Sequence, residues 1–354
     1  MLGLNGHRHL RKLIYLLFVA ASAPIGWIKS NPRLATFVAD LKSLKAFGDT
    51  DLHESMLSDT LRVDRYREGI SRIVKDGDVV VDLGTGSGIL AFFAAKKAAK
   101  VHAIEHSGVI KLARKIADEN DIRNVEFHHC NSRQFRLDGR ADVIIHEQIG
   151  NCVFDENMIE SILDLRRRVL KDGGRIVPNR FEVYLEPIEM MDGYHTPYMW
   201  EFNIDGITFQ STKSAANVAP GRGALFSEYH RTDILAGEAM HMLCDPKPIM
   251  EFDLETMNES DLPRSAHYEN TAVRDGRIQG LCVAFRTHFD DQTDLEVFPA
   301  GKQTNWSFAM FRLEEHTVRM GQRIEYDIEF GDVRDYLTWR LTWVEPEHQA
   351  AAAE

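Results

Sequence analysis

Cysteine is scarce: four residues in 354, at positions 130, 152, 244 and 282, and no two of them stand close together. That spacing offers neither a zinc-site pair nor the framework of a secreted disulfide domain, so a reducing cytoplasm is the expected location. Basic charge is short too. Lys and Arg number 42 against 54 Asp and Glu, a formal net charge of −12, which argues against a nucleic-acid partner. The excess suits a cationic substrate, although an acidic balance also serves plain solubility. Long apolar runs are missing. LIYLLFVAA behind HRHLRK is too short and too interrupted for a stable membrane span. Residues 1–39 contain no Asp or Glu, and Ala21-Ser22-Ala23 follows the apolar run, so residues 8–28 have the outline of an export or membrane-attachment signal. Pro24 just past the cut speaks against cleavage. The alternative is a helical N-terminal segment, residues 1–50, packed on the main body. Repeats and long low-complexity tracts are absent apart from an alanine tail at 350–353.

What is present is an ordinary globular composition, 44% hydrophobic and 27% charged, long enough for two domains. VVVDL at 79–83 runs into a Gly-rich turn, and GILAFFAAKKAA reads as a helix. VHAIEH is a second strand, followed by SGVIKLARKIADEN as a helix with Ser107 as its N-cap. VEFHHC and ADVIIHE are further strands, and ENMIESILDLRRRVLKDGG closes the series as a helix with Gly173 beyond it. Strands alternating with helices predict a doubly wound α/β sheet over residues 51–180. After Pro178 the pattern changes. FEVYLEPIE, IMEFDLE, GLCVAFRTHF, WSFAMFRLE, RIEYDIEF and YLTWRLTWV are strand-like without comparable helices between them. In RIEYDIEF, Ile324, Tyr326, Ile328 and Phe330 share one face, the mark of half-buried antiparallel strands. Residues 181–354 are therefore a β domain, sandwich or barrel, with residues 191–245 inserted into it.

The glycines Gly84, Gly86 and Gly88 let the first turn approach a ligand closely. A dinucleotide fingerprint would need Gly-x-Gly-x-x-Gly aimed at a pyrophosphate. Here Asp82 ends the strand, and an acid there repels a pyrophosphate but suits a sulfonium or ammonium. Glu105 ends the second strand, 23 residues after Asp82, where an acid can accept ribose hydroxyls. The set predicts a class I methyltransferase site for S-adenosylmethionine; a tight turn beside a solvated Glu105 is the plain alternative. At the end of the fourth strand, HEQIGNCVFDENM places Glu147 and Glu156 nine residues apart. Two carboxylates at the sheet's C-terminal edge make sense for a guanidinium acceptor, which is planar, always cationic and rich in donors. They would offset the repulsion between that cation and the donor sulfonium. A helix cap and a surface charge would account for the same pair.

From about residue 47 onward the sequence resembles the protein arginine N-methyltransferase family. LHESMLSDTLRVDRY resembles the family's segment before the sheet, DLGTGSGILAFFAAK its donor loop and HEQIGNCVFDENM its double-glutamate loop; PNRFEVYLEPIE and QTNWSFAMFRLEE continue the match. The resemblance implies a Rossmann-like domain followed by a β-barrel-like domain, with 191–245 a helical dimerisation arm of a homodimer. It implies that Arg62 pairs with the donor carboxylate, that Asp82 and the glycines hold its amino acid portion, and that Glu105 binds the ribose. Glu147 and Glu156 would clamp the guanidinium, and Met56 and Met158 would shape the space around the methyl group, or simply pack the core. His53 would line the site. Asp59 would accept a hydrogen bond from the residue at 305, the two counted with the glutamates as catalytic, and Trp306 beside them would shape the substrate space. Transfer would be direct, in line, and without a metal.

Several positions depart from the family. Asn305 stands where the family has histidine, and an amide carries no proton at neutral pH. Ser132 stands where an acid commonly faces the adenine. Gln148 and Asn151 replace aromatics, and only Phe47 is near the missing tyrosine motif. The acceptor is therefore expected to be arginine in a protein or peptide, with free arginine or another small guanidino compound as the alternative. A non-catalytic scaffold retaining the fold is the reading from another class.

Overall fold

The computed structural model describes residues 50–150, 153–154, 156–195, 197–216, 231–301, 304–334 and 338–344. The expected N-terminal segment, its signal-like run and the alanine tail lie outside these residues. Two helices come first, α1 (Thr50–Ser58) and α2 (Thr60–Ile73), parted at Asp59. Asp59 caps α2 by accepting the Arg62 backbone N–H at 3.1 Å. Tyr66, Gly69, Ile70 and Ile73 recur at helical spacing and form the buried face of α2.

Five parallel strands follow: β1 (Val79–Leu83), β2 (Lys100–Glu105), β3 (Val125–His129), β4 (Ala141–His146) and β5 (Leu170–Val177). Their order is β3-β2-β1-β4-β5. The chain winds outward from β1 through β2 to β3, then crosses back to β4 on the other side. The topological switch therefore falls between β1 and β4, where sheets of this kind form their ligand crevice. Both central strands are almost wholly buried, hence their continuous apolar runs. Helices α3 (Ile89–Ala95), α4 (Ile110–Glu119) and α5 (Met158–Val169) make the connections.

Two local expectations are corrected. Helix α4 begins at Ile110 with Val109 as its N-cap; the Ser107 hydroxyl oxygen accepts the Val109 N–H at 3.4 Å, ahead of the helix, and the Ser107 backbone N–H donates to Glu105 at 2.7 Å. Helix α5 ends at Val169, and Leu170–Asp172, expected as its tail, open the edge strand β5.

The remainder is antiparallel. Strand β6 (Arg180–Met190) begins a seven-stranded sheet. The excursion that follows contains a 3-10 turn at Met199–Glu201, a small hairpin of β7 (Asn203–Ile204) and β8 (Ile207–Thr208), and α6 (Ser211–Ala216). The chain then returns to that sheet through β9 (Arg231–Leu235), β10 (Ala239–Met242) and β11 (Pro248–Asp253). The insertion expected over 191–245 is thus narrower, since β9 pairs with β15 and β10 with β6. Strand β12 (Ser265–Thr271) precedes the long β13 (Gly276–His288), β14 (Asp294–Val297) and β15 (Ser307–Val318). Strands β16 (Arg323–Phe330) and β17 (Trp339–Val344) complete a three-stranded sheet, β12-β16-β17.

The alternation in RIEYDIEF holds: Ile324, Tyr326, Ile328 and Phe330 are all buried. Polar bolts join the two sheets. The Tyr268 hydroxyl donates to Glu186 at 2.8 Å, and the Tyr326 hydroxyl donates to the Leu185 carbonyl. Among the described residues no helix is long and apolar enough to cross a membrane.

Candidate active site

The cleft at the switch point is walled by α1 and α2, the β1 turn, the ends of β2 and β3, and the loop from β4 to α5. Nine of the expected residues line it: His53, Met56, Arg62, Gly84, Gly86, Glu105, Ser132, Glu147 and Glu156. Asp82 lies beneath its floor, fully buried. Gly88, Met158, Asp59, Asn305 and Trp306 stand behind the lining: Met158 is wholly buried in the core, and the other four hold the walls.

The turn after β1 is built on glycine for two physical reasons. Gly86 has φ +53°, and a Cβ there would meet the His53 ring at 2.9 Å. Gly88, the αL N-cap of α3, has φ +95°, and its Cβ would lie 2.5 Å from the Phe92 ring. Only glycine takes such angles readily and admits so close an approach. Glu105 braces the turn from β2: one oxygen accepts the Gly86 N–H at 3.1 Å, the other the Ser107 N–H at 2.7 Å. Arg168 holds the Ser132 carbonyl at 3.0 Å, which fixes the β3 end of the cleft.

Asp82 is half satisfied. One oxygen accepts the Thr85 hydroxyl at 2.6 Å, and the other, Oδ1, is buried without a partner. Burial pushes this carboxyl up to about 7, with hydrogen bonding from the Thr85 hydroxyl and the Ala91 backbone pulling the other way. An orphaned carboxylate oxygen under a backbone cradle fits a cationic ligand group. The donor's amino acid portion is such a group.

On the opposite wall, Glu147 forms an ion pair with Arg62, the two side chains 12% and 14% exposed. The Arg62 guanidinium also lies over the Trp306 ring, 5.2 Å from its centre. The sequence placed Arg62 toward a donor carboxylate; the structure sets it against Glu147. Burial raises Glu147 to about 7, while Arg62 draws it back down. Between the two glutamates the backbone is strained at Val153, which is β-branched yet has φ +66°.

The β domain grips this wall. Trp306 donates its indole N–H to the Ile149 carbonyl at 2.8 Å, anchoring the double-glutamate loop. Asp59 meets position 305, but through the main chain: the Asn305 backbone N–H donates to Asp59 at 3.0 Å. The Asn305 side-chain amide donates instead to the Ser55 carbonyl. The expected amide-to-carboxylate contact is therefore replaced by one that any residue at 305 can make.

Two residues that sequence reasoning did not assign to the site stand out in the cleft. Tyr66 is fully buried, its hydroxyl has no partner, and it feels Glu147, Arg62, Asp82 and Glu156 together. Burial, with Glu147 next, pushes its pKa well above the usual phenol value. It reads in sequence as one more core residue of α2, and its helical spacing gave no warning. Gln148, noted only as a departure, lines the cleft with a buried, unpartnered side-chain oxygen.

Residues 74–213 match a methyltransferase domain, and residues 179–337 match an arginine methyltransferase oligomerization subdomain. The chain is 28% identical over 308 residues to protein arginine N-methyltransferase 2 of Xenopus tropicalis, covering 83% of this chain and 70% of that protein. It is 28% identical over 284 residues to protein arginine N-methyltransferase 8-B of Danio rerio, covering 77% of this chain and 64% of that protein's length. Its fold matches a chain of the Trypanosoma brucei PRMT1 enzyme–prozyme heterotetrameric complex with AdoHcy. The TM-score is 0.68 at 24% identity, over 80% of this chain and 89% of that one.

Proposed function

We propose that the chain is a member of the protein arginine N-methyltransferase family, a class of S-adenosylmethionine-dependent enzymes, a reading supported by the methyltransferase match over residues 74–213 and the arginine methyltransferase match over residues 179–337. From that premise we propose that Glu147 and Glu156 clamp the guanidinium of an arginine side chain in a protein or peptide. The observation that supports this reading best is the Arg62–Glu147 pair. A guanidinium already rests on this carboxylate, against the Trp306 face, so the wall has the chemistry to receive one.

Arg62 then has two partners to choose between. We infer that it leaves Glu147 for the donor's carboxylate, which frees Glu147 for the substrate. Asp82 and the Gly84–Gly86 backbone hold the donor's amino acid portion, and Glu105 accepts the ribose hydroxyls with the lone pairs its backbone contacts leave. Ser132 borders the adenine end, His53 and Met56 close the near wall, and Met158 shapes the floor from behind. When bound, the donor supplies a methyl group activated by a sulfonium. Glu147, raised toward neutrality, is poised to take the proton that the guanidinium gives up. Asp59 and Asn305 serve as positioning residues that tie α1 and α2 to the β domain.

Binding order tests the exchange. The peptide should bind measurably only after donor or its demethylated product has bound; equal peptide affinity without either would contradict it. Turnover on an arginine-rich peptide should exceed that on free arginine, and the reverse would favour the small-molecule acceptor. The exposed apolar tip of the excursion, with Met199, Ile204 and Ile207 each more than half exposed, fits docking on a second copy.

A further inference from the structure

Outside the cleft, β2 and β3 bring together a cluster that the methyl-transfer chemistry does not use. Their parallel register sets His102 beside Glu126 and Ile104 beside His128. Residues two apart on a strand share a face, so His102, Glu126 and His128 converge on one side of the sheet. His102 Nδ1 and His128 Nε2 face each other at 3.0 Å. The Glu126 carboxylate oxygens lie 3.9 Å from the first and 3.6 Å from the second. Among the described residues this is the one group whose histidine and carboxylate ligand atoms all fall within 4.8 Å of one another.

We propose that His102, His128 and Glu126 form a binding site for one late first-row divalent cation, zinc foremost, separate from the reaction centre. Imidazole and carboxylate suit such an ion. With metal–ligand bonds of ~2.0–2.1 Å, tetrahedral neighbours stand ~3.4 Å apart. The observed separations lie on either side of that value, so shifts of a few tenths of an ångström seat the ion. A neutral imidazole offers one ring nitrogen lone pair to an ion. Phe135 packs edge-on to His128, ring centres 4.9 Å apart, and lies 6.0 Å from His102. It forms an apolar wall that fixes both rings. Glu126 is half exposed, which leaves the solvent side for a water as fourth ligand. The competitor is Lys100, whose ammonium pairs with Glu126 and must yield to the ion.

The site's position gives it a consequence. Strand β3 is the sheet edge, and its end leads directly into Cys130, Asn131 and Ser132 of the donor cleft. An ion bridging β2 and β3 pins that edge and stabilises the chain by mass action.

The test uses the full chain, stripped with chelator and dialysed, then titrated with zinc chloride by calorimetry and with cobalt chloride by visible absorption. One equivalent should bind with micromolar dissociation constant, the cobalt form should show tetrahedral d–d bands, and the zinc form should melt several degrees higher. Glu126→Gln should weaken binding at least about tenfold, and the pair His102→Gln with His128→Gln should abolish it. Absence of saturable binding overturns the proposal. So does binding that these variants leave within threefold, since the metal then sits on other histidines. Metal-free melting of each variant separates lost ligation from lost folding, and Glu126→Gln, at an exposed position, keeps the test decisive if the double variant does not fold.

Discussion

Replacing Glu147 by Gln keeps shape and hydrogen-bonding capacity but removes the charge that the proposed clamp depends on. Its side chain is only 12% exposed, so the carboxylate acts through a poorly screened environment. A guanidinium held at ~4 Å with an effective dielectric near 20 gains roughly 4 kcal/mol from one such charge. Loss of that attraction in the transition state corresponds to about a thousandfold in kcat/KM. Because burial raises Glu147 to about 7, the comparison belongs at pH 8, where the wild-type carboxylate is mostly ionised. Donor affinity provides the second readout. In the variant Arg62 loses its competing partner, so donor binding should stay equal or tighten severalfold. The assay pairs calorimetric donor binding with methyl transfer to an arginine peptide. Turnover within threefold of wild type would refute the clamp. A donor affinity that fell in step with turnover would instead make Glu147 a support for the donor site.

Asp82 sets a pH dependence. Its folded pKa, raised to about 7, lies above the ordinary carboxylate value, so the ligand-free fold prefers the protonated form and loses stability as pH rises from about 4 to 7. A cationic donor needs the ionised form, so donor affinity should climb through pH 7 and level off above it; Asp82→Asn should flatten that titration measured by calorimetry. Tyr66→Phe removes a buried hydroxyl that has no partner, and the melting temperature should hold or rise by a few degrees. If the hydroxyl serves the site, turnover should nevertheless fall, and steady-state kinetics beside the thermal melt separates the two effects. Asn305→His should change kcat less than twofold, because position 305 meets Asp59 through its backbone. A tenfold gain would show that a proton relay is missing.

The donor half of the site was legible because its chemistry is local. Asp82, the three glycines and Glu105 stand at strand ends, and the strands' apolar runs announce those ends. The same holds for Ile324 to Phe330, where alternation alone gives the buried face. Long-range contacts were less accessible. Nothing local says that Arg62 will meet Glu147 or that Trp306 will anchor Ile149, since the first pair needs α2 laid against the end of β4 and the second needs the β domain closed on the sheet. Ser107 looked like a helix cap because serine before an apolar run commonly is one, yet the helix starts three residues later, and the Ser107 hydroxyl oxygen accepts the Val109 N–H ahead of it. Strand β5 was obscured because it begins one residue after a strongly helical segment ends, and Gly173 read as a terminator rather than as part of the edge. The histidines of β2 and β3 lie more than twenty residues apart, and only the parallel register brings them face to face.

The central claim is that this cleft places a methyl group on a guanidino nitrogen of arginine. Its most direct test is incubation of the full chain with methyl-labelled S-adenosylmethionine and an arginine-rich peptide, followed by complete hydrolysis and mass spectrometry. The account predicts label in methylated arginine, lost in the Glu147→Gln and Glu156→Gln variants. Label on any other residue, or arginine methylation that survives both substitutions, would contradict it.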